Sequence, residues 1–195
     1  YLMYARSTLD NVQAAYHGRQ AVNYLDGKYF PELARAYFCW GQILILEQNY
    51  AQANHLLEKG IRILEPLKAP NIFVGQLAQA KCLLLQNKDA EGLRLLASVE
   101  ESVRAFGSLR GVIFFYRLKI IAKMNLAYGT NDFDSYRFVD DAEKLLRWVE
   151  VAPTSIKNLE GYGFLILGLR ANGELAEADR HRSEERRVGK ECRSR

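Results

Sequence analysis

Side chains that could hold a metal or attack a substrate are few and far apart in this sequence. His17 and His55 stand in separate segments, and the chain has no His-x-x-x-His or Cys-x-x-Cys pattern. A zinc site needs more ligands at short spacing. Cys39 and Cys82 flank apolar runs, where a buried thiol packs as a small apolar group, and a nucleophilic cysteine would need a base held nearby. We therefore expect binding rather than catalysis, with no metal or cofactor.

Two other patterns resemble catalytic motifs without their context. The Gly-Tyr-Gly tripeptide at 161–163 has helical flanks, and no third glycine stands at the spacing of a dinucleotide fingerprint. Asp140-Asp141 and Glu100-Glu101 are adjacent carboxylates. Neighbours in a helix point apart, so neither pair forms a shared acid–base site. We expect both pairs to be solvated.

Any site in this chain must be positioned by pairs of antiparallel helices. Between Leu33 and Leu67, apolar or small residues recur at three-and-four spacing on both sides of a tight turn. One such hairpin cannot cover both apolar stripes alone, so it must stack on copies of itself. Similar hairpins precede and follow it. The turns are expected at 10–11, 48–50, 87–89, 130–135 and 172–173.

Small residues indicate where the two helices of a pair approach closely. Gly41, Ala80 and Ala122 each stand seven positions before the first residue of a turn or helix end. The steps between them are 80 − 41 = 39 and 122 − 80 = 42 residues, longer than the roughly 34 residues of a standard tetratricopeptide repeat. The sequence predicts an all-α fold: a right-handed superhelix of about four and a half tetratricopeptide-like helix pairs, over residues 1–179.

Residues 180–195 break this pattern. They hold seven of the 27 Lys and Arg residues and three of the 23 Asp and Glu residues, which leaves 20 of each sign in residues 1–179. Such charge runs are usually solvated and disordered, and this one resembles a recurrent non-native tail from translated vector or adapter DNA. A basic arm that touches nucleic acid is the alternative. The neutral remainder argues against a nucleic-acid groove.

The bulk composition suits a soluble globular chain, with 49% hydrophobic and 26% charged residues. The sequence opens on Tyr1 rather than Met, so we expect it to be a piece of a longer protein. Three cysteines, an odd count, suit a reduced, cytoplasmic compartment. No apolar stretch is long enough to span a bilayer, so no membrane partner is expected.

The first helix of each pair supplies the predicted binding site. First helices line the concave surface of a helix-pair solenoid. Residues one after and three before each small contact residue are expected to face that groove, together with one tyrosine further back. The predicted groove residues are Phe38, Gln42, Leu77, Lys81, Tyr116, Lys119 and Lys123. Such a surface suits a sugar, an anionic small molecule or an acidic peptide, and a plain solvated face is the alternative.

Two stretches carry a family resemblance. Leu77–Leu93 and Phe106–Ile113 are similar to the helical superhelix of MalT-type activators, the large ATP-binding regulators of the LuxR family. The resemblance covers about residues 1–179, mostly at packing positions. It implies a non-catalytic sensor module that binds a small-molecule effector or a regulatory protein and biases self-association. ATP and DNA would be bound only by domains outside this piece. A stand-alone scaffold for protein–protein interaction is the alternative.

Overall fold

The described part of the chain folds into α-helices joined by short turns. The computed structural model describes residues 11–27, 30–150, 156–171 and 173–193. No β-strand occurs in these ranges, which confirms the all-α prediction. The helices are α1 (Asn11–Leu25), α2 (Phe30–Leu46), α3 (Tyr50–Leu64), α4 (Ile72–Leu85), α5 (Asp89–Phe106), α6 (Leu109–Thr130), α7 (Val139–Glu150), α8 (Ile156–Ala171) and α9 (Leu175–Arg193). None of them is both long and apolar enough to cross a bilayer.

The helices group into two compact units, Tyr1–Phe106 and Gly107–Arg195. In the first unit, each helix from α1 to α4 packs on the next one in the chain, and α2 also contacts α4. In the second unit, α6 packs on α7, α7 on α8 and α8 on α9. Within each unit, packing between consecutive helices is the arrangement that the repeated apolar stripes predict.

Two turns of the first unit lie where the sequence places them, whereas the predicted turn at 10–11 includes residue 10, which lies outside the described residues. Gln48 and Asn87, the first residues of two predicted turns, both have left-handed backbones, with φ of 61° and 57°. Asn49 then caps α3, since its side-chain oxygen accepts a hydrogen bond from the amide of Gln52 at 3.4 Å. A residue with a left-handed backbone ends the helix before it, and a capping residue begins the helix after it. The local sequence therefore sets these helix boundaries.

The direction of three helices in the first unit follows from their contacts. A short turn, residues 47–49, joins α2 to α3, and the two pack along their length, so they are antiparallel. The thiol of Cys82, near the end of α4, lies 3.7 Å from the carbonyl oxygen of Tyr50, at the start of α3. Helix α4 therefore opposes α3 and runs in the same direction as α2.

The small residues lie at close contacts, as predicted. Ala80 and Ala122 are fully buried. Gly41 is also buried, and a Cβ atom there would lie 2.9 Å from the side chain of Leu57 on α3. Such a contact is shorter than carbon atoms tolerate, so the side chain must be small for the two helices to approach this closely. All three small residues are thus buried, as the predicted helix pairs require.

A phenylalanine joins three helices of the first unit. Phe38 on α2 is 3% exposed and belongs to a buried cluster with residues of α3 and α4. A Cβ atom at Gly60 on α3 would lie 2.5 Å from its ring, and one at Gly75 on α4 would lie 2.4 Å from it. The ring therefore occupies space that two glycines leave open, and it is part of the core.

The last helix extends beyond the predicted repeat region. The charge run from residue 180 predicts disorder, whereas α9 continues to Arg193. Side chains three or four positions apart pair along it: Arg180 with Glu177, and His181 with Glu184 at 3.1 Å. Such pairs support a helix even where its apolar pattern has stopped. The non-native origin of residues 180–195 stays a prediction.

Candidate functional site

Helix α2 exposes only a narrow line of side chains along most of its length. Between Leu33 and Leu46, the exposed residues are Arg35, Gln42 and Leu46, whereas the others are buried or half-buried. Spacings of seven and four residues return to the same side of a helix. The three side chains therefore form one line on a helix that is otherwise enclosed by its neighbours.

Helix α4 repeats this line one repeat further along the chain. Adding the step of 39 residues to the three positions on α2 gives Val74, Lys81 and Leu85. Leu85 is exposed, and Val74 and Lys81 are half-buried. The same three positions are thus accessible, wholly or in part, on both helices.

The two lines lie beside the seam where α2 meets α4. Phe38 of α2 and Ala78 of α4 belong to the same buried cluster, so they mark that seam. Gln42 stands one turn after Phe38, and Lys81 stands three residues after Ala78. Because residues three or four apart are neighbours on a helix, both lines border the seam. We call this surface the α2–α4 face and define it by Arg35, Gln42, Leu46, Val74, Lys81 and Leu85.

The α2–α4 face has a basic part and an apolar end. Helices α2 and α4 together contain two cations, Arg35 and Lys81, and one carboxylate, Glu32, in the first turn of α2. At the other end, Leu46 is 58% exposed and Leu85 is 48% exposed. These two exposed leucines occupy the same position of adjacent repeats, and exposed apolar side chains that recur on one face are a feature of interaction sites.

The predicted groove residues of the first unit divide between this face and the core. Gln42 and Lys81 lie on the α2–α4 face. Phe38 and Leu77 are each 3% exposed and lie in the core instead. For Phe38 the cause is the slot that Gly60 and Gly75 leave open. Arg35 and Leu46 were not among the predicted residues; they stand seven positions before and four after Gln42, spacings that return to the same side of a helix.

In the second unit, two predicted groove lysines bind a buried carboxylate. Lys119 Nζ lies 3.2 Å from Asp141 Oδ1, and Lys123 Nζ lies 2.6 Å from Asp141 Oδ2. Lys123 Nζ also donates to the carbonyl oxygen of Arg137 at 2.9 Å. The side chains of the two lysines are only 14% and 22% exposed. Their positive charges therefore join α6 to the start of α7.

Asp141 corrects the prediction that both carboxylates of its acidic pair are solvated. Asp141 is 2% exposed, whereas the side chain of its neighbour Asp140 is 69% exposed. A buried carboxylate needs charged or hydrogen-bonding partners, and two lysines supply them. Sequence spacing carried a signal for this burial, since Asp141 stands three residues after Phe138 and four before Leu145, which are both apolar and buried.

Tyr116, the last predicted groove residue, also lies inside the second unit. It is 4% exposed, and its ring packs edge-on against Phe115, with ring centroids 5.2 Å apart. Lys119 lies over the Phe115 ring, 5.7 Å from its centroid, a distance that suits a cation–π interaction. Tyr116, Lys119 and Lys123 are therefore parts of the packing of this unit, and their role in binding stays a prediction.

The buried thiol of Cys82 is poorly suited to nucleophilic chemistry. It is fully buried, and burial raises its pKa, although a hydrogen bond from Gln86 and the charge of Lys88 act in the opposite direction. Gln86 Nε2 lies 3.3 Å from the sulfur. A thiol with a raised pKa is protonated at neutral pH and is a weak nucleophile. Within the described residues, no three His, Cys, Asp or Glu side chains are placed to hold a metal ion.

We expect Cys82 to resist alkylation in the folded protein. At pH 8, iodoacetamide should modify it at least about tenfold more slowly in buffer than in 8 M urea, because both burial and the raised pKa limit the reactive thiolate. Peptide mapping by mass spectrometry measures the two rates. Cys39, which is 6% exposed, provides a second buried thiol for comparison. Equal rates in buffer and in urea would show that the site around Cys82 is open.

Comparison with known proteins identifies the fold. No protein-family model matches the sequence, and no curated protein matches it. Two crystal structures of a putative kinesin light chain from Podosopora anserina, with nearly identical TPR-like repeats, are similar to it. One, of a variant, has a TM-score of 0.70 at 16% identity, covering 100% of this chain and 95% of that chain. The other has a TM-score of 0.67 at 16% identity, with 96% and 92% covered. The chain therefore has a TPR-like helical-repeat fold.

Proposed function

We propose that this chain is a protein-binding scaffold whose α2–α4 face holds a segment of a partner protein. The observation that carries the proposal is the repetition of one pattern on two parallel helices. Each helix presents the same three positions beside a shared seam, and each ends on an exposed leucine. An apolar patch next to polar and basic side chains has the mixed character of a protein–protein interface.

The size of the face fits a short extended segment. Arg35 and Leu46 are eleven residues apart on α2, which corresponds to about 16 Å along a helix. An extended chain advances roughly 3.3–3.6 Å per residue, so about five residues would cover this distance. Parallel helices α2 and α4 would form the two sides of such a site. A segment of this length is a small interface, which suits weak and reversible binding.

The narrower hypothesis, a sensor module of a LuxR/MalT-type regulator, stays a prediction alongside this proposal. Unlike the scaffold proposal, the regulator hypothesis requires two further domains outside this chain: a nucleotide-binding domain for ATP and a DNA-binding domain. The gene that encodes the full protein tests it. A nucleotide loop upstream and a helix-turn-helix downstream would favour the regulator, with an effector or a regulatory protein as its ligand, and flanking regions without them would favour the scaffold.

Site-specific photo-crosslinking in cells tests the scaffold proposal. A benzophenone amino acid at position 42 should capture a partner protein, because Gln42 lies in the middle of the face. The same amino acid at position 55 is the matched control, since His55 is exposed on α3 of the same hairpin. Crosslinks from position 42 and not from position 55 are expected. No crosslink from position 42, or equal crosslinks from both, contradicts the proposal.

The captured partner is then purified and its affinity measured directly. Leu46→Asp with Leu85→Asp should weaken binding at least about tenfold, because it removes the apolar end of the face. Both leucines are exposed, so the double variant should keep its helical circular dichroism and its melting temperature. Unchanged affinity in a folded double variant means that the partner does not use the α2–α4 face.

A further inference from the structure

The side of α2 that points away from the α2–α4 face carries two aromatic rings. Tyr37 stands two residues after Arg35 of that face, and two residues correspond to about 200° around a helix. Trp40 likewise stands two residues before Gln42. We infer that this opposite side is a second protein-binding surface, which takes an acidic segment with an aliphatic side chain between two carboxylates. The inference goes beyond the proposed function, because the two surfaces share no residue.

Helices α1 and α3 form the two walls of this second surface, since both pack on α2. From α1, Gly18 lies against Trp40, and a Cβ atom built at Gly18 would be 3.3 Å from the Cβ atom of Trp40. From α3, Ile63 packs against the same buried cluster as Tyr37 and Trp40. Both rings are half-buried, so they form an accessible floor between the walls. We call this surface the α1–α3 cleft and define it by Arg19, Tyr37, Trp40 and Lys59.

Each ring of the α1–α3 cleft has a cation over it, and the two cations come from opposite walls. Arg19 of α1 lies over the Trp40 ring, 5.9 Å from its centroid. Lys59 of α3 lies over the Tyr37 ring, also 5.9 Å from the centroid. Both distances suit a cation–π interaction. Both cations are exposed, and neither forms an ion pair with a carboxylate of the described residues, so a ligand can reach their outer donors.

The charge around the two rings is positive. Burial raises the pKa of Tyr37, and the negative charge of Asp26, just after α1, raises this pKa further. The Tyr37 hydroxyl therefore stays protonated at neutral pH and can donate a hydrogen bond. Two cations, Arg19 and Lys59, outnumber the one carboxylate at the rings. A charge beside half-buried rings attracts an opposite charge more strongly than one in open water, so the cleft favours carboxylates.

The next repeat indicates that packing does not require these four side chains. Gln48 and Asn87, the left-handed residues after α2 and α4, set a repeat step of 39 residues. The counterparts of the four cleft residues at this step are Glu58, Gln76, Gln79 and Ser98. The two glutamines are half-buried on α4, as the two rings are on α2. Since glutamine occupies these positions in one repeat, the aromatic residues in the other point to binding. Tyrosine, tryptophan and arginine commonly dominate the binding energy of interfaces.

The spacing of the cleft sets the spacing of the segment. Tyr37 and Trp40 are three residues apart on one helix face, so their Cβ atoms are about 5–6 Å apart, and a cation lies at each ring. Alternate side chains of an extended segment point to the same side. In an Asp-x-Leu-x-Asp segment, the aspartates are about 13–14 Å apart along the chain. The leucine then covers the rings, and each aspartate reaches one cation.

The fluorescence of Trp40 in the full chain tests the inference. The chain has two tryptophans, and Trp148 is 41% exposed, so Trp148→Phe should fold and leave Trp40 as the only one. The probe is a pool of nine-residue peptides with Asp-x-Leu-x-Asp at the centre and the other positions randomised among Gly, Ser, Thr and Asn. A bound leucine excludes water from the Trp40 ring, so we expect its emission to move to shorter wavelength.

Two matched pools and the salt concentration test the chemistry of the segment. In one pool lysines replace both aspartates, and in the other glycine replaces the leucine. We expect the acidic pool to bind at least about tenfold more tightly than either. Its affinity should fall as salt is raised, because exposed charges are screened.

Charge reversal on the protein locates the binding surface. Arg19→Glu should weaken binding of the acidic pool at least about fivefold, and adding Lys59→Glu should weaken it further. Arg35→Glu is the matched control, because it makes the same charge change on the other side of α2, and it should leave the affinity unchanged. All three residues are exposed, so the variants are expected to fold, and melting curves verify this.

Several results would overturn the inference. It is wrong if the acidic pool leaves the Trp40 emission unchanged at up to about 1 mM peptide, binds no better than the lysine pool, or keeps its affinity in the Arg19→Glu variant. It is also wrong if a single-stranded oligothymidylate binds more tightly and is lost in that variant, because the cleft would then bind nucleic acid. If only Arg35→Glu weakens the peptide, the peptide occupies the α2–α4 face, and the scaffold proposal stands without the α1–α3 cleft.

Discussion

Replacing Asp141 with asparagine is expected to lower the free energy of unfolding by about 3 kcal/mol, because it leaves two mostly buried lysines without their counter-charge. Asparagine has nearly the same size as aspartate and keeps one hydrogen-bonding oxygen. The loss of unfolding free energy therefore measures the effect of removing the negative charge. Lys119 and Lys123 both lie within 3.2 Å of the carboxylate. Their ammonium groups would have to be solvated in a partly buried site or repel each other.

Urea denaturation followed by circular dichroism measures this loss. Asp140→Asn is the matched control, because it makes the same chemical change at the preceding residue of α7, whose side chain is 69% exposed. We expect the control to change the free energy of unfolding by less than about 0.5 kcal/mol. If the two variants have the same stability, the carboxylate of Asp141 does not hold α6 and α7 together.

A double-mutant cycle assigns the loss to the ion pairs. Lys123→Met combined with Asp141→Asn should be less destabilised than the sum of the two single variants, because the double variant removes one unpaired charge. The expected interaction energy is about 1–3 kcal/mol, typical of residues in one network. Additive effects would indicate that Lys123 and Asp141 stabilise the unit independently.

The helix pairs and turns could be predicted because their signals are local. Gln48 and Asn87 begin turns at equivalent repeat positions, and apolar spacing on either side shows where the helices run. Gly41, Ala80 and Ala122 could be found because the same type of residue recurs at nearly constant spacing. Each of these inferences requires only neighbours within about one repeat of the chain.

The site was predicted only in part because exposure depends on residues distant in sequence. Phe38 has the spacing of a groove residue, but two glycines, 22 and 37 positions later, open the slot that buries its ring. Lys123 likewise reads as a surface cation until Asp141, 18 positions later, is placed beside it. Gln42 and Lys81 lie on the α2–α4 face, where Gln42 is exposed and Lys81 is half-buried.

Gly75→Ala is expected to destabilise the first unit by about 1–2 kcal/mol, although helix propensity alone predicts that alanine stabilises a helix by about 1 kcal/mol over glycine. The added methyl group would lie 2.4 Å from the Phe38 ring. That ring also meets Gly60 on α3, so it cannot move away without opening another contact. The sign of the change in unfolding free energy therefore shows whether close packing or helix propensity dominates at Gly75.

Gly163→Ala is the matched control for this change of sign. Gly163 lies within α8, and a Cβ atom built there has nothing within 4 Å, so its substitution should stabilise by about 0.5–1 kcal/mol. Denaturation midpoints measure the stability of both variants.

Combining Gly75→Ala with Phe38→Leu should lower the free energy of unfolding by less than the sum of the two single changes, because the smaller side chain makes room for the methyl group. If Gly75→Ala stabilises the protein as Gly163→Ala does, the Phe38 ring does not fill the space between α3 and α4. Helices α2 and α4 would then not pack closely beside the α2–α4 face.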